Sequence, residues 1–166
     1  NKSTKIHYLV TNLIADIYRK NREHKKAIVF YKKSLKLLGF DLLDGSKIDK
    51  TFQKYLAENF LNLGSQYQLL KKNDSAIFYY KKLVELNFLD DQVLNLQAIS
   101  YSNLAGIYQK DTTMLNHYEK AIEFSERAIE VHKKRNKRLS QANAINNLAN
   151  VYLLQGDFEK SKKKYF

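Results

Sequence analysis

The chain has 166 residues, 44% of them hydrophobic, which is enough for a continuous core and too apolar for a disordered segment. It contains no cysteine, so disulfides, thiolate zinc sites and cysteine nucleophiles are excluded, while the redox compartment stays open. The formal charge of +12 points to an acidic partner, a nucleic acid or a membrane surface, yet no apolar run approaches the ~20 residues of a bilayer span.

The chain reads as helices throughout. Helix one is predicted from Ser3 or Thr4 to Lys20, and helix two over Glu23–Leu38, closed by Gly39. Phe40–Ser46 reads as a loop, with Asp44-Gly45 as its turn signal. Helix three starts near Ser46 or Lys47 and extends to Lys71. Asn73 or Asp74 is the expected cap of helix four, which ends near Asn87, and Asp90 or Asp91 starts helix five, which ends near Lys110. After a turn at Asp111–Thr113, helix six runs to Arg135, helix seven covers Leu139–Gln155, and helix eight begins at Asp157. The two-residue alternation of a sheet strand is missing.

A spaced pattern recurs along these helices. In the last hairpin Leu148, Ala149 and Tyr152 precede the turn Gln155-Gly156-Asp157, and Phe158, Ser161 and Tyr165 follow it. The second hairpin has Phe60, Leu63-Gly64 and Tyr67, then Ala76 and Tyr80. The first has Thr11, Ile14, Ala15 and Tyr18, then Ala27 and Tyr31; the third has Tyr101, Leu104, Ala105 and Tyr108, then Ala121 and Ser125. These slots resemble the tetratricopeptide repeat, with its W-x2-L-G-x2-Y, A-x3-F and P pattern. The small slots at 15, 64, 105 and 149 lie 49, 41 and 44 residues apart, longer than the ~34 of the standard repeat, and no proline fills the last slot. The resemblance is to the longer-period type found in bacterial peptide-sensing regulators and in kinesin light chains.

That resemblance implies an all-α, antiparallel helix-hairpin solenoid, a right-handed superhelix of four repeats at 4–39, 47–88, 91–135 and 139–166, the last truncated. It implies one domain, part of a longer protein whose output domain lies elsewhere. The expected core holds Leu63, Tyr67, Ala76, Tyr80, Leu104, Tyr108, Ala121, Ala128, Leu148 and Tyr152.

Catalysis has no anchor in this sequence. His7, His24, His117 and His132 fall at unrelated slots and outside any H-E-x-x-H spacing, and the five glycines form neither a phosphate loop nor a nucleophile elbow. Glu119, Glu123, Glu126 and Glu130 read as helix-surface pairs with Lys120 and Arg127. The expectation is therefore a non-enzyme without cofactor or metal. The basic run Lys133–Arg138 reads as a solvated connector, so nucleic acid is disfavoured as a partner.

The resemblance also implies that first helices line a concave groove for a protein or peptide. Its candidate contacts are Asn12, Asp16 and Arg19, then Asn62, Ser65 and Gln68, then Ser102, Asn103 and Gln109, then Asn146, Asn147 and Asn150. Asparagine offers both a donor and an acceptor to a peptide backbone. Asn62, Asn103 and Asn147 share one slot and fit packing between hairpins equally well, whereas Asn146 and Asn150 favour ligand contact. Asp16 would repel a carboxylate, which disfavours clamping of a C-terminal peptide tail. The implied role is a peptide-binding scaffold, the sensory or assembly arm of a bacterial signalling or transcription-regulatory protein. The alternatives are a structural spacer or self-assembly module and, less favoured, a nucleic-acid-binding helical domain.

Overall fold

The computed structural model describes residues 2–39, 52–87 and 90–165. Eight helices lie among them: α1 (Lys2–Lys20), α2 (His24–Leu37), α3 (Gln53–Leu69), α4 (Asn73–Val84), α5 (Asp91–Lys110), α6 (His117–Lys134), α7 (Arg138–Gln155) and α8 (Phe158–Tyr165). They form two compact units, Asn1–Phe88 and Leu89–Phe166. In the first unit α1 pairs with α2, α2 with α3, and α3 with α4; in the second, α5 pairs with α6, α6 with α7, and α7 with α8. The fold is an all-α array of antiparallel helix hairpins, as the repeat pattern requires.

Backbone chemistry sets the turns inside the hairpins. Arg22 and Lys71 adopt left-handed φ values of 60° and 58°, and Gly156 does the same at 84°. At each turn two amides fold back on the preceding helix: Glu23 N–H donates to Tyr18 O at 2.9 Å, Lys72 to Tyr67 O at 2.9 Å and Asp157 to Tyr152 O at 2.9 Å. This is the Schellman closure, which satisfies carbonyls that a helix end would leave orphaned. It stops α3 at Leu69, short of the expected Lys71, because Lys71 itself leaves the helical region. Helix four begins at Asn73, so Asn73 and Asp74 are helical residues, and the cap position is Lys72, which makes no side-chain bond. Asp90 does cap α5, accepting from Gln92 N at 2.9 Å and Val93 N at 3.1 Å. Asp157 accepts from Lys160 N at 3.0 Å at the start of α8. The expected loop at 40–46 and the start of helix three near Ser46 lie outside the described residues.

Small slots let paired helices approach. Ala15, Gly64, Ala105 and Ala149 are all buried. A Cβ on Gly64 would stand 2.5 Å from Tyr80 Cε1, so that position takes no larger residue without moving the ring. Of the expected core, Leu63, Ala76, Tyr80, Leu104, Tyr108, Ala121, Ala128, Leu148 and Tyr152 are buried. Tyr67 is the exception. It is half-buried and stacks on Tyr79 with centroids 5.6 Å apart.

The tyrosine slot also accounts for part of the lysine content. Lys26 lies 5.2 Å from the Tyr18 ring centroid, Lys32 5.6 Å from Tyr67, Lys120 5.1 Å from Tyr108 and Lys160 5.7 Å from Tyr152. In three hairpins that lysine directly precedes the small residue of the second helix: Ala27, Ala121 or Ser161. The second hairpin has Ser75 there, and Lys32 from α2 covers its tyrosine instead. Each contact combines cation–π attraction with burial of the aliphatic stem.

Candidate functional site

In the first unit the polar positions of α1 and α3 do two different jobs. The Tyr31 hydroxyl donates to Asp16 Oδ1 at 2.6 Å and accepts from Arg19 Nε at 3.2 Å. Burial and the adjacent Asp16 charge push that hydroxyl above the ordinary tyrosine range. One hairpin on, Tyr80 repeats the geometry, donating to Gln68 Oε1 at 2.8 Å with Ser65 Oγ 3.2 Å from the same hydroxyl. Asp16, Arg19, Ser65 and Gln68 thus satisfy the hydroxyl of a tyrosine that stands where the repeat pattern has phenylalanine. Sequence reasoning placed these four on the groove face without seeing that task. The signal was available, since a tyrosine in a phenylalanine slot brings a hydroxyl that needs a partner.

The remaining capacity is concentrated in a cleft of about 550 Å³ between the α1–α2 turn and α3. It brings together three sequence-chosen residues, Arg19, Asn62 and Ser65, and adds Lys20, Arg22, His24, Gln66 and Leu69. His24 Nδ1 lies 2.8 Å from Oε1 of the buried Gln66, which ties the start of α2 to α3 and forms the cleft floor. No carboxylate lines the cleft, and three cations do. Its chemistry therefore suits carbonyl or carboxylate oxygens. The turn residues Lys20 and Arg22 were missed because a hairpin turn carries no periodic signal. Asn12, one turn before Asp16, is half-buried, and its Oδ1 has no hydrogen-bond partner.

The second unit is more open. Ser102 Oγ donates back to Ala98 O at 3.1 Å within its own helix. Asn103, Gln109 and Asn150 are half-buried, and Asn146 and Asn147 are exposed on α7. Two clefts of this unit, at the Gln155–Glu159 turn and along Glu159–Lys163 of α8, include none of these six residues.

The basic run between α6 and α7 has a structural use. Arg135 donates from Nε to Asp91 Oδ1 at 2.7 Å, from Nη2 to Asp91 Oδ2 at 2.9 Å and from Nη1 to Asn95 Oδ1 at 2.7 Å. This fork ties the α6 C-terminus to the start of α5, and the hydrogen bond holds the Asp91 carboxyl below its usual range. Lys134 pairs with Glu130 at 2.8 Å. His132 is buried on the same helix; burial, then the Arg135 charge, lower its pKa. Among the described residues no cluster of three metal-ligating side chains occurs, and no helix is long and apolar enough to cross a membrane.

Family profiles described as tetratricopeptide repeat match residues 12–37 and 57–88 and, separately, residues 96–165. The chain belongs to the tetratricopeptide repeat family. The matched stretches coincide with the hairpins described above, in both units. Among solved structures, this tetratricopeptide repeat chain is similar to the crystal structure of BtubC (BKLC) from P. vanneervenii, at 20% identity and a TM-score of 0.69. The match covers 95% of this chain and 59% of that one, so the present chain spans little more than half of its length. At that identity the likeness establishes the fold. No curated protein sequence matches the chain. Tetratricopeptide repeats generally mediate protein–protein interaction, and the family is typically a non-catalytic scaffold.

Proposed function

We propose that this chain binds an extended protein segment along the polar face of its first helices, and that the α1–α3 cleft is its strongest anchoring point. The supporting observation is the cleft itself, with Arg19, Lys20, Arg22 and Asn62 at its walls and no acidic residue among them. Peptide carbonyls, or an acidic side chain, would find the donors of Lys20, Arg22 and Asn62 there, beside Arg19, whose Nε is engaged by Asp16 and Tyr31. Asn146 and Asn150 on α7 supply a second set of contacts, one turn apart. In the cell, the chain acts as the sensory or assembly arm of a bacterial signalling or transcription-regulatory protein. That finer reading rests on the Lys- and Asn-rich repeat sequence, such as NNLANVYLLQGDFEKS, and the output domain would lie outside these residues.

Affinity capture from the native cell tests the site. Wild type, Lys20→Glu/Arg22→Glu and Asn146→Ala/Asn150→Ala are compared. The expected result is a partner held by wild type, lost from the charge-reversal variant and weakened by the asparagine variant. A partner retained equally by all three would place binding on another surface.

A further inference from the structure

The solvent faces of α2 and α6 carry opposite charge at equivalent positions. Both are second helices of a hairpin and align on the small slot, Ala27 with Ala121. At successive spacings of four, three and four residues, α2 presents Lys25, Val29, Lys32 and Lys36, and α6 presents Glu119, Glu123, Glu126 and Glu130. Residues at these spacings share one helix face, here about 16 Å long at 1.5 Å per residue. All eight are exposed. The matching stripe of α4 mixes the signs, with Asp74, Phe78, Lys81 and Glu85. The repeat therefore does not demand one sign on this face, and a helix surface that only meets water intersperses both.

Little within the chain neutralises either stripe. Lys25 and Lys36 make no hydrogen bond or ion pair with a described residue, and neither do Glu119, Glu123 and Glu126. Two members are partly engaged. Lys32 lies 5.6 Å from the Tyr67 ring centroid, and Glu130 pairs with Lys134 at 2.8 Å along the exposed surface of α6. Of the cations expected to pair with these glutamates, Lys120 instead covers the Tyr108 ring at 5.1 Å, and Arg127 joins no ion pair among the described residues. On α2 the one nearby carboxylate, Glu23, is taken by Lys26.

We infer that the lysine stripe of α2 docks on the glutamate stripe of α6 in a second copy of this chain. The two stripes match in length, and their spacing reads the same in both directions. Lys25 and Lys36 therefore face Glu119 and Glu130 whether the two helices run parallel or antiparallel. A contact between two different surfaces leaves one stripe of each kind for a further copy, so it either propagates head to tail or closes. The net charge of +12 opposes association, but at ~0.1 M salt the screening length is about 10 Å, and paired charges meet well inside it. Each exposed ion pair contributes little, so the contact is weak and salt-sensitive. This surface lies on second helices and does not rest on the α1–α3 cleft.

Sedimentation velocity of the nucleic-acid-free chain, over a rising concentration series, tests this. Wild type should associate reversibly at ~0.1 M salt and dissociate at ~1 M, where the screening length falls to about 3 Å. Lys25→Glu/Lys36→Glu and Glu119→Lys/Glu130→Lys should each associate at least tenfold more weakly. The first of these lowers the net charge and so relieves overall repulsion; a loss of association there reads the stripe rather than the total charge. All four positions are exposed, so both variants should keep the wild-type Tm. An equimolar mixture of the two variants should regain association, because each then meets the opposite sign on its partner. Absence of association in wild type overturns the proposal, as does association that survives ~1 M salt, variants that associate like wild type, or a mixture that recovers nothing. Association that appears only with added nucleic acid overturns it too, since a phosphate backbone would then be the occupant of α2.

Discussion

The seam between α2 and α3 is polar, and the seam between α6 and α7 is largely apolar, although both join a second helix to the next first helix. In the first, the fully buried Asn59 accepts from Ser34 Oγ at 3.0 Å and donates to the Tyr8 hydroxyl at 3.0 Å, and Tyr8 in turn donates to Tyr55 O at 3.2 Å. In the second, Ala144, Val151 and Ala128 are buried at the corresponding places. The repeat tolerates either solution because the packing slots supply the close approach in both. A buried network adds direction to that approach: it is satisfied in one register only, whereas small apolar residues accept neighbouring registers at little cost.

Exchanging the two chemistries should break this comparison. Asn59→Leu takes one hydrogen bond from the Ser34 hydroxyl, which keeps Tyr31 O at 2.9 Å, and one from the Tyr8 hydroxyl, which keeps Tyr55 O at 3.2 Å, and should cost about 2–3 kcal/mol in urea unfolding. Ala144→Asn buries an amide in a seam where α6 carries Ala128 at the place of Ser34, and should cost a similar ~2–3 kcal/mol. Removing the whole network, as Tyr8→Phe/Ser34→Ala/Asn59→Leu, should recover most of the loss, since no group is then left unpaired. A triple variant as unstable as Asn59→Leu alone would mean that shape, not hydrogen bonding, sets the cost.

A second comparison sets Gly64 against Ala15, which fills the same slot one hairpin earlier. The Tyr80 ring is held by Gln68 and Ser65, so it cannot swing away from a new methyl group. Gly64→Ala should destabilise the first unit by about 1–2 kcal/mol, the overpacking cost less the gain in helix propensity. Thermal unfolding reads this directly, and an unchanged or raised Tm would show that the α3–α4 pair can spread.

The smallest effect concerns the turns. Lys71 holds a left-handed conformation that Gly156 adopts without a Cβ penalty. Lys71→Gly should therefore stabilise the chain by about 0.5–1 kcal/mol, whereas Gly156→Ala should destabilise it by about 1 kcal/mol. Opposite signs in the same unfolding assay are the expected outcome; two losses would mean that the Lys71 side chain contributes more than its backbone strain costs.

Much of this was legible in the residues. The spacing of Leu63-Gly64, Tyr67, Ala76 and Tyr80 and its recurrence determined helix, hairpin and family, because a period of 3.6 residues and a small contact slot are local requirements of sequence. Gly39, Gly156 and the Asp90 cap were readable for the same reason. The tertiary structure alone decided which polar residues are committed. Asp16, Arg19, Ser65 and Gln68 look like a free polar row until the Tyr31 and Tyr80 hydroxyls reach them from the next helix. Lys71 reads as helical until the chain reversal needs a left-handed residue there. Ile6, Val10, Leu13 and Ile17 fit an ordinary helix pattern, and only the packed structure shows that they stay exposed beside the described helices. A sequence specifies which groups can meet along one helix; which groups do meet across helices depends on how the hairpins stack.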